Sequence, residues 1–310
     1  MAASGGTKAV VAALFANLGI AVTKFVAFAL TRSASMLAEA IHSLADSGNQ
    51  VLLLVGQKRA AREATELHPF GYGRERYIYA FIVSIVLFSV GGLFALYEGW
   101  HKISHPEPLD SWQWVPVTVL VLGIIFESLS FRTAIRESNH VRGKASWVTF
   151  VRHAKSPELP VILLEDLGAL LGLVLALIGV LLTIVTGNGL FDGLGSMAIG
   201  ALLVCIAIIL AAEMKSLLIG ESASAGDAQR IRDAIAEEPL VDRIIHMKTL
   251  HIGPEELLVA VKVAVPGNRS AGEIAAAIDA AEQRIRAAVP IARIIYVEPD
   301  LDRVTAEVAP

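Results

Sequence analysis

The sequence predicts an α-helical membrane protein, a six-helix transmembrane bundle followed by a small cytoplasmic α+β domain of α-β-β-α-β order. Three observations lead there. Hydrophobic residues fill 55% of the 310 positions, against roughly 45–50% in soluble domains, and mean hydropathy is +0.60. Apolar runs close to the roughly 20 residues that cross a bilayer recur near 9–30, 36–57, 77–100, 113–131, 160–185 and 190–213. After Lys215 such runs cease and charges spread from Glu221 to Asp302. The division expected is therefore 1–215 for the spans and 216–310 for the soluble domain.

An even number of spans puts both termini on one side. Loops 58–76 and 132–158 carry eleven basic residues (Lys58, Arg59, Arg62, Arg74, Arg76, Arg132, Arg136, Arg142, Lys144, Arg152 and Lys155), whereas the three opposite loops hold only Arg32 and Lys102. Basic loops stay inside, so both termini are expected in the cytoplasm and the chain in a plasma (inner) membrane. The short lead Met1–Lys8 precedes a run of full spanning length, which reads as a retained helix and not as a signal peptide. With 26 basic and 30 acidic residues, net charge −4, no overall positive field points to nucleic acid. One cysteine, Cys205, excludes an intrachain disulfide and a thiolate metal cluster.

Within the soluble part, residues 226–237 read as a helix capped by Asp227. Two β-rich runs follow at 241–251 and 256–266, the second Val-rich as if both of its faces were mostly covered. A helix at 271–288 and a strand at 293–297 complete a ferredoxin-like two-layer unit, one sheet face remaining free for a partner.

Ionisable groups inside a span cost about 2.5–3.5 kcal/mol each at the helix centre on insertion scales, so each asks for a reason. In the second span Glu39, His42 and Asp46 are spaced three and four apart and share one helical face. The fifth span carries Glu165 and Asp166 among apolar neighbours, and Gly168, Gly172 and Ala176 there permit close approach of another helix. Imidazole and carboxylate from two facing helices suit a tetrahedral divalent transition metal, zinc above all. A bound dication would also offset the desolvation of these groups. Pairing of His42 with Asp46 or Lys24 as simple helix glue leaves the second acidic pair unexplained. Such ligands bind metal only when deprotonated, so metal and protons compete, and imidazole titrates near neutrality. Asn17 and Lys24 in the first span read equally well as packing groups. Glu127 in the fourth reads more readily as a partner of Arg132 than as part of a path.

At these residues the chain resembles the cation diffusion facilitator family of zinc-transporter-type metal/proton antiporters. The likeness rests on Ser35 to Asp46 in the second span, His68-Pro69-Phe70-Gly71-Tyr72-Gly73-Arg74-Glu75 in the first basic loop, and Leu217 to Glu221 after the sixth span. It implies cation efflux by the 1–215 domain and a homodimer formed through 216–310, with no enzymatic activity and no permanently bound cofactor. The substrates implied are a divalent metal and protons, the metal being zinc, with manganese, iron or cobalt as alternatives. A membrane-anchored metal sensor or interaction protein is the alternative to a carrier. His42, Asp46 and Asp166 match the family's ligands, but Ile162 stands where the fifth span normally supplies another. Glu165 is the first candidate for the fourth ligand and Glu39 the second. Accessory metal positions are reduced to His68 with Tyr72 and Thr65 in the loop, and to His246, Val261, Tyr296 and Glu298 in the soluble domain, so that domain is expected to dimerise without metal. Arg74 and Glu221 stand where the family often holds loop and last helix together by a charge pair.

Overall fold

The structure, a computed structural model, describes residues 2–31, 34–106 and 114–301. Side chains of 2–6, 8–9, 27–28, 30–31 and 34–42 lie outside that description. The chain forms two compact units, Met1–Arg62 with Glu75–Lys215, and Glu63–Arg74 with Ser216–Pro310.

The first unit is helical. Its elements are α1 (Ala2–Thr31), α2 (Ala34–Ala60), a continuous helix made of α3 (Glu75–Val86), a π-helical stretch (Leu87–Leu93) and α4 (Phe94–Ser104), then α5 (Trp114–Arg142), the short α6 (Trp147–His153), α7 (Glu158–Thr186) and α8 (Leu190–Ile219). Among the described residues four helices are long and apolar enough to cross a membrane: Glu75–Ser104, Trp114–Arg142, Glu158–Thr186 and Leu190–Ile219. The described apolar stretch of α1 is the shorter Val10–Val26, and α2 is interrupted by Asp46, Asn49 and Gln50. The six-span expectation thus meets four helices of full apolar length among the described residues, with the described stretch of α1 shorter and α2 more polar. α5 also runs to Arg142 and α6 follows, so much of what reads as the loop 132–158 is helical.

Packing sets which faces turn inward. α1 lies against α2, α5 and α7, and α5 lies along α7. α4 approaches α8 so closely that a Cβ on Gly200 would stand 2.7 Å from the Leu96 backbone nitrogen. Only a residue without a side chain permits that separation, the usual device for helix contact in lipid. α7 ends on Gly187 at φ 68, whose N–H bonds to the Thr183 carbonyl, a left-handed stop that glycine adopts without a Cβ clash.

The second unit contains α9 (Ala225–Ala236), β1 (Arg243–Gly253), β2 (Glu256–Val265), α10 (Ala271–Ala288) and β3 (Ala292–Leu301). The order is α-β-β-α-β, with β2 central, antiparallel to β1 and parallel to β3. Parallel neighbours need a crossover, and α10 supplies it. Leu257, Val259, Val261, Val263 and Val265 form one fully buried face that packs on Ile231, Ile235 and Ile285 from the helices, while the alternate residues of β2 are mostly half-buried. The reading of β2 as covered on both faces is corrected accordingly. So is the cap of α9. Ser224 accepts from the Asp227 N–H, and Asp227 accepts the Ser224 hydroxyl at 2.7 Å and interacts with Arg230.

α10 begins with a reciprocal cap in which Ser270 and Glu273 each satisfy the other's backbone N–H. Hydrogen bonds from the Ser270 backbone and hydroxyl hold Glu273 below the ordinary carboxylate range. A depressed carboxylate stabilises the fold above its unfolded-state value, and that stabilisation is lost as pH falls through the folded value. Ser270→Ala is expected to destabilise α10 by about 1 kcal/mol at neutral pH, read as faster amide exchange along Ala271–Ala288. The difference from the native chain should shrink in acid.

Candidate metal site in the helical unit

A cavity of about 200 Å³ runs through the helical unit. Its deep end is lined by Asn17 and Lys24 from α1, Asp46 from α2, Glu127 from α5, and Glu165 and Asp166 from α7. It continues past Gly172, Ala176 and Val180 to Glu98 and Lys102 at the end of α4 and Asp192 at the start of α8. Those helix ends are opposite the ends joined by the basic loops.

Each buried carboxylate has its own environment. Asp166, 1% exposed, accepts the Ser130 hydroxyl at 2.8 Å on Oδ2, while its Oδ1 has no hydrogen-bond partner. Glu165, 5% exposed, takes Asn49 Nδ2 at 2.8 Å on Oε1 and Gln50 Nε2 at 2.9 Å on Oε2. Gln50 Oε1 in turn accepts from Asn17 Nδ2 at 3.3 Å, so α1, α2 and α7 are tied by one run of amides ending on Glu165. Glu127 is 2% exposed and its Oε1 has no hydrogen-bond partner. Its preferred reading as a loop-arginine partner is corrected, since the side chain points into the cavity.

Of the residues expected in the site, Asp46, Glu165 and Asp166 line one cavity, and Ile162, one turn before Asp166, is buried and apolar. The side chains of His42 and Glu39 lie outside the described residues. Among the described residues no three His, Cys, Asp or Glu close up into a ready-made cage. The carboxylates are nevertheless within electrostatic reach of one another.

The accessory positions have structural partners. In the loop the Thr65 and Tyr72 hydroxyls are 3.3 Å apart and the His68 ring lies 4.7 Å from that of Tyr72. In the sheet Val261 belongs to the core, Glu298 pairs with Lys262 at 3.0 Å, and Tyr296 is exposed. Arg74 approaches the position of a Cβ on Gly220 to 3.6 Å.

A contact that the sequence reading missed joins Arg76 at the start of α3 to Glu158 at the start of α7. Arg76 Nε and Nη2 donate to the two Glu158 oxygens at 2.5 and 2.7 Å, and the side chains are 11% and 2% exposed. Arg76 counted in the sequence only as one basic loop charge. Its signal was an acidic residue opening the fifth span. Toward the other end of the helices Lys102 pairs with Asp192 at 2.8 Å and approaches Glu98 at 4.0 Å, all half-exposed.

Long apolar helices around an interior lined by carboxylates define a multi-pass membrane protein with a polar interior site. Residues 10–219 match the cation efflux transmembrane domain, and the chain belongs to the cation diffusion facilitator family. That domain places it among transporters and not among enzymes. The chain is 34% identical over 266 residues to the mitochondrial proton-coupled zinc antiporter SLC30A9 of Xenopus laevis, covering 85% of this chain and 47% of that protein. It is also 34% identical to the Homo sapiens protein of the same name, covering 80% and 44%, and 27% identical to metal tolerance protein C4 of Arabidopsis thaliana, covering 80% and 54%. The chain thus spans about half the length of these relatives.

Removing one partner of a buried ion pair strands the other charge, at about 3–5 kcal/mol. Glu158→Ala is expected to lower the thermal stability of the detergent-solubilised chain by an amount of that order. Lys102→Ala, at a half-exposed pair, should cost no more than about 1 kcal/mol, and comparative melting checks both.

Proposed function

We propose that this chain exports a divalent transition metal, zinc, from the interior side of its membrane in exchange for protons. The observation that carries the reading is that Asp46 of α2 and Asp166 of α7 line one cavity inside a helical unit of spanning length. The proposed ligands are His42, Asp46 and Asp166, with Glu165 or Glu39 as the fourth. Glu165 would have to surrender an amide hydrogen bond to serve. Buried carboxylates gain a compensating charge when a dication enters, and lose their hold on it when protonated. Alternating exposure of one site to the two sides then couples the two flows. Two relatives, both proton-coupled zinc antiporters, support zinc and protons as substrates.

With six spans, the loop-charge rule would put the basic loops, both termini and residues 216–310 on the interior side of a plasma or inner membrane. The less covered sheet face of that unit suits a homodimer, with the lipid bilayer as the other partner. Manganese, iron or cobalt is the second reading. It draws on the described polar groups, which present carboxylate oxygen, a harder donor set than zinc usually meets.

Reconstitution into sealed vesicles tests the proposal. Under an imposed pH gradient the native chain is expected to move zinc, and Asp46→Ala and Asp166→Ala should each lower flux by about tenfold or more. Equal flux in all three would remove the site. Manganese moving at least as fast as zinc would replace the metal, and binding without flux would favour a sensor.

A further inference from the structure

Two of the buried oxygens without hydrogen-bond partners, Asp166 Oδ1 and Glu127 Oε1, belong to residues lining the same cavity, and the two carboxyl groups come within hydrogen-bonding reach of each other. A buried acceptor left unmade costs about 1–3 kcal/mol, and more when charged, so two of them facing one interior space mark a place where something else is meant to bind. Glu165, in the same region, is already engaged, because it spends both oxygens on Asn49 and Gln50. α5 packs along α7, and Ser130, one turn beyond Glu127 on α5, holds Asp166 Oδ2. That bond leaves Oδ1 as the free lobe of Asp166, and brings the segment of α5 carrying Glu127 beside it.

We propose that Glu127 is a direct ligand of the transported divalent cation, contributing the oxygen that Ile162 does not and making the site a three-helix one. The inference rests on the reading of the cavity as the metal path and extends it to a residue outside the second and fifth spans. Glu127 then takes the fourth place otherwise given to Glu165 or Glu39, and Glu165 becomes a positioning residue, fastening α7 to α1 and α2 so that Asp166 faces the ion. Lys24, 4% exposed at the same end of the cavity, is a neighbouring cation that an entering dication must displace or tolerate. An added carboxylate oxygen supplies charge for that competition, and it tilts the site toward harder cations than an imidazole would in its place.

Direct metal binding separates this from the underlying reading. The purified full chain in detergent is titrated with zinc against a fluorescent chelator, and with cobalt for its visible ligand-field spectrum. The comparison covers native chain, Glu127→Gln, Glu165→Gln and Asp46→Ala, with thermal unfolding followed for each. Glu127→Gln is expected to weaken zinc binding by more than about a hundredfold, beyond the roughly 10–100-fold that loss of an outer partner costs, and to shift the cobalt band. Glu165→Gln is expected to leave that band in place, and a shifted band there with an unshifted one in Glu127→Gln would return the fourth place to Glu165 and overturn the role of Glu127. Native affinity and an unshifted band in Glu127→Gln, together with lost binding in Asp46→Ala, would overturn the role of Glu127 and leave the transport site standing. Native binding in both Glu127→Gln and Asp46→Ala would overturn both. Should Glu127→Gln not fold, Glu127→Asp keeps the charge and draws the oxygens back by one methylene. Its cobalt band is expected to shift, and a native band and affinity would likewise overturn the proposal.

Discussion

Several carboxylates held together away from water are the constraint around which the helical unit is organised. Each must find donors, a counter-charge or a bound cation, since an isolated ionised group in an apolar medium is prohibitively expensive. The protein meets part of that demand internally. Glu165 receives two amides from α2, and Asp166 receives a hydroxyl from α5. These bonds fix the rotation of α7 against its neighbours, because the same helix must turn Glu165 toward α2 and Asp166 toward α5 and the cavity. The part left unmet, at Asp166 Oδ1 and Glu127 Oε1, gives the interior its chemistry.

The two ends of the unit are held differently. Where the basic loops leave the helices, a buried bidentate pair between Arg76 and Glu158 joins α3 to α7, a geometry only guanidinium can offer a carboxylate. Toward the other end the cavity reaches Lys102 and Asp192, a single ammonium contact that remains half in water and is correspondingly weak. The π-helical stretch at Leu87–Leu93, whose Gly91 lines the cavity, lies between these two ends. An insertion of this kind in a helix is frequent at functional sites. The two ends of the helical unit thus differ in side-chain chemistry.

The second unit relies on ordinary core packing. One face of β2 is a Val and Leu ladder buried beneath two helices, and its alternate residues are largely half-buried, leaving the opposite sheet face less covered. The positions that resemble accessory metal ligands have been absorbed into this architecture. Val261 packs in the core, Glu298 is neutralised by Lys262, and in the loop Tyr72 and Thr65 bond to each other.

Reading the residues in order was enough for the helical class, the α-β-β-α-β order and the acidic character of the second and fifth spans. These follow from local quantities, namely run length, periodicity of 2 or 3.6 and residue type. Asp46, Glu165 and Asp166 were legible because a carboxylate among leucines is conspicuous wherever it occurs. Folding alone decided their partners. Asn49 and Gln50 meet Glu165 across 116 and 115 residues of chain, and Glu127 turns to the cavity because α5 packs on α1 and α7. Helical periodicity tells which side chains share a face; which neighbour that face meets depends on how the helices pack, and no single helix carries that information.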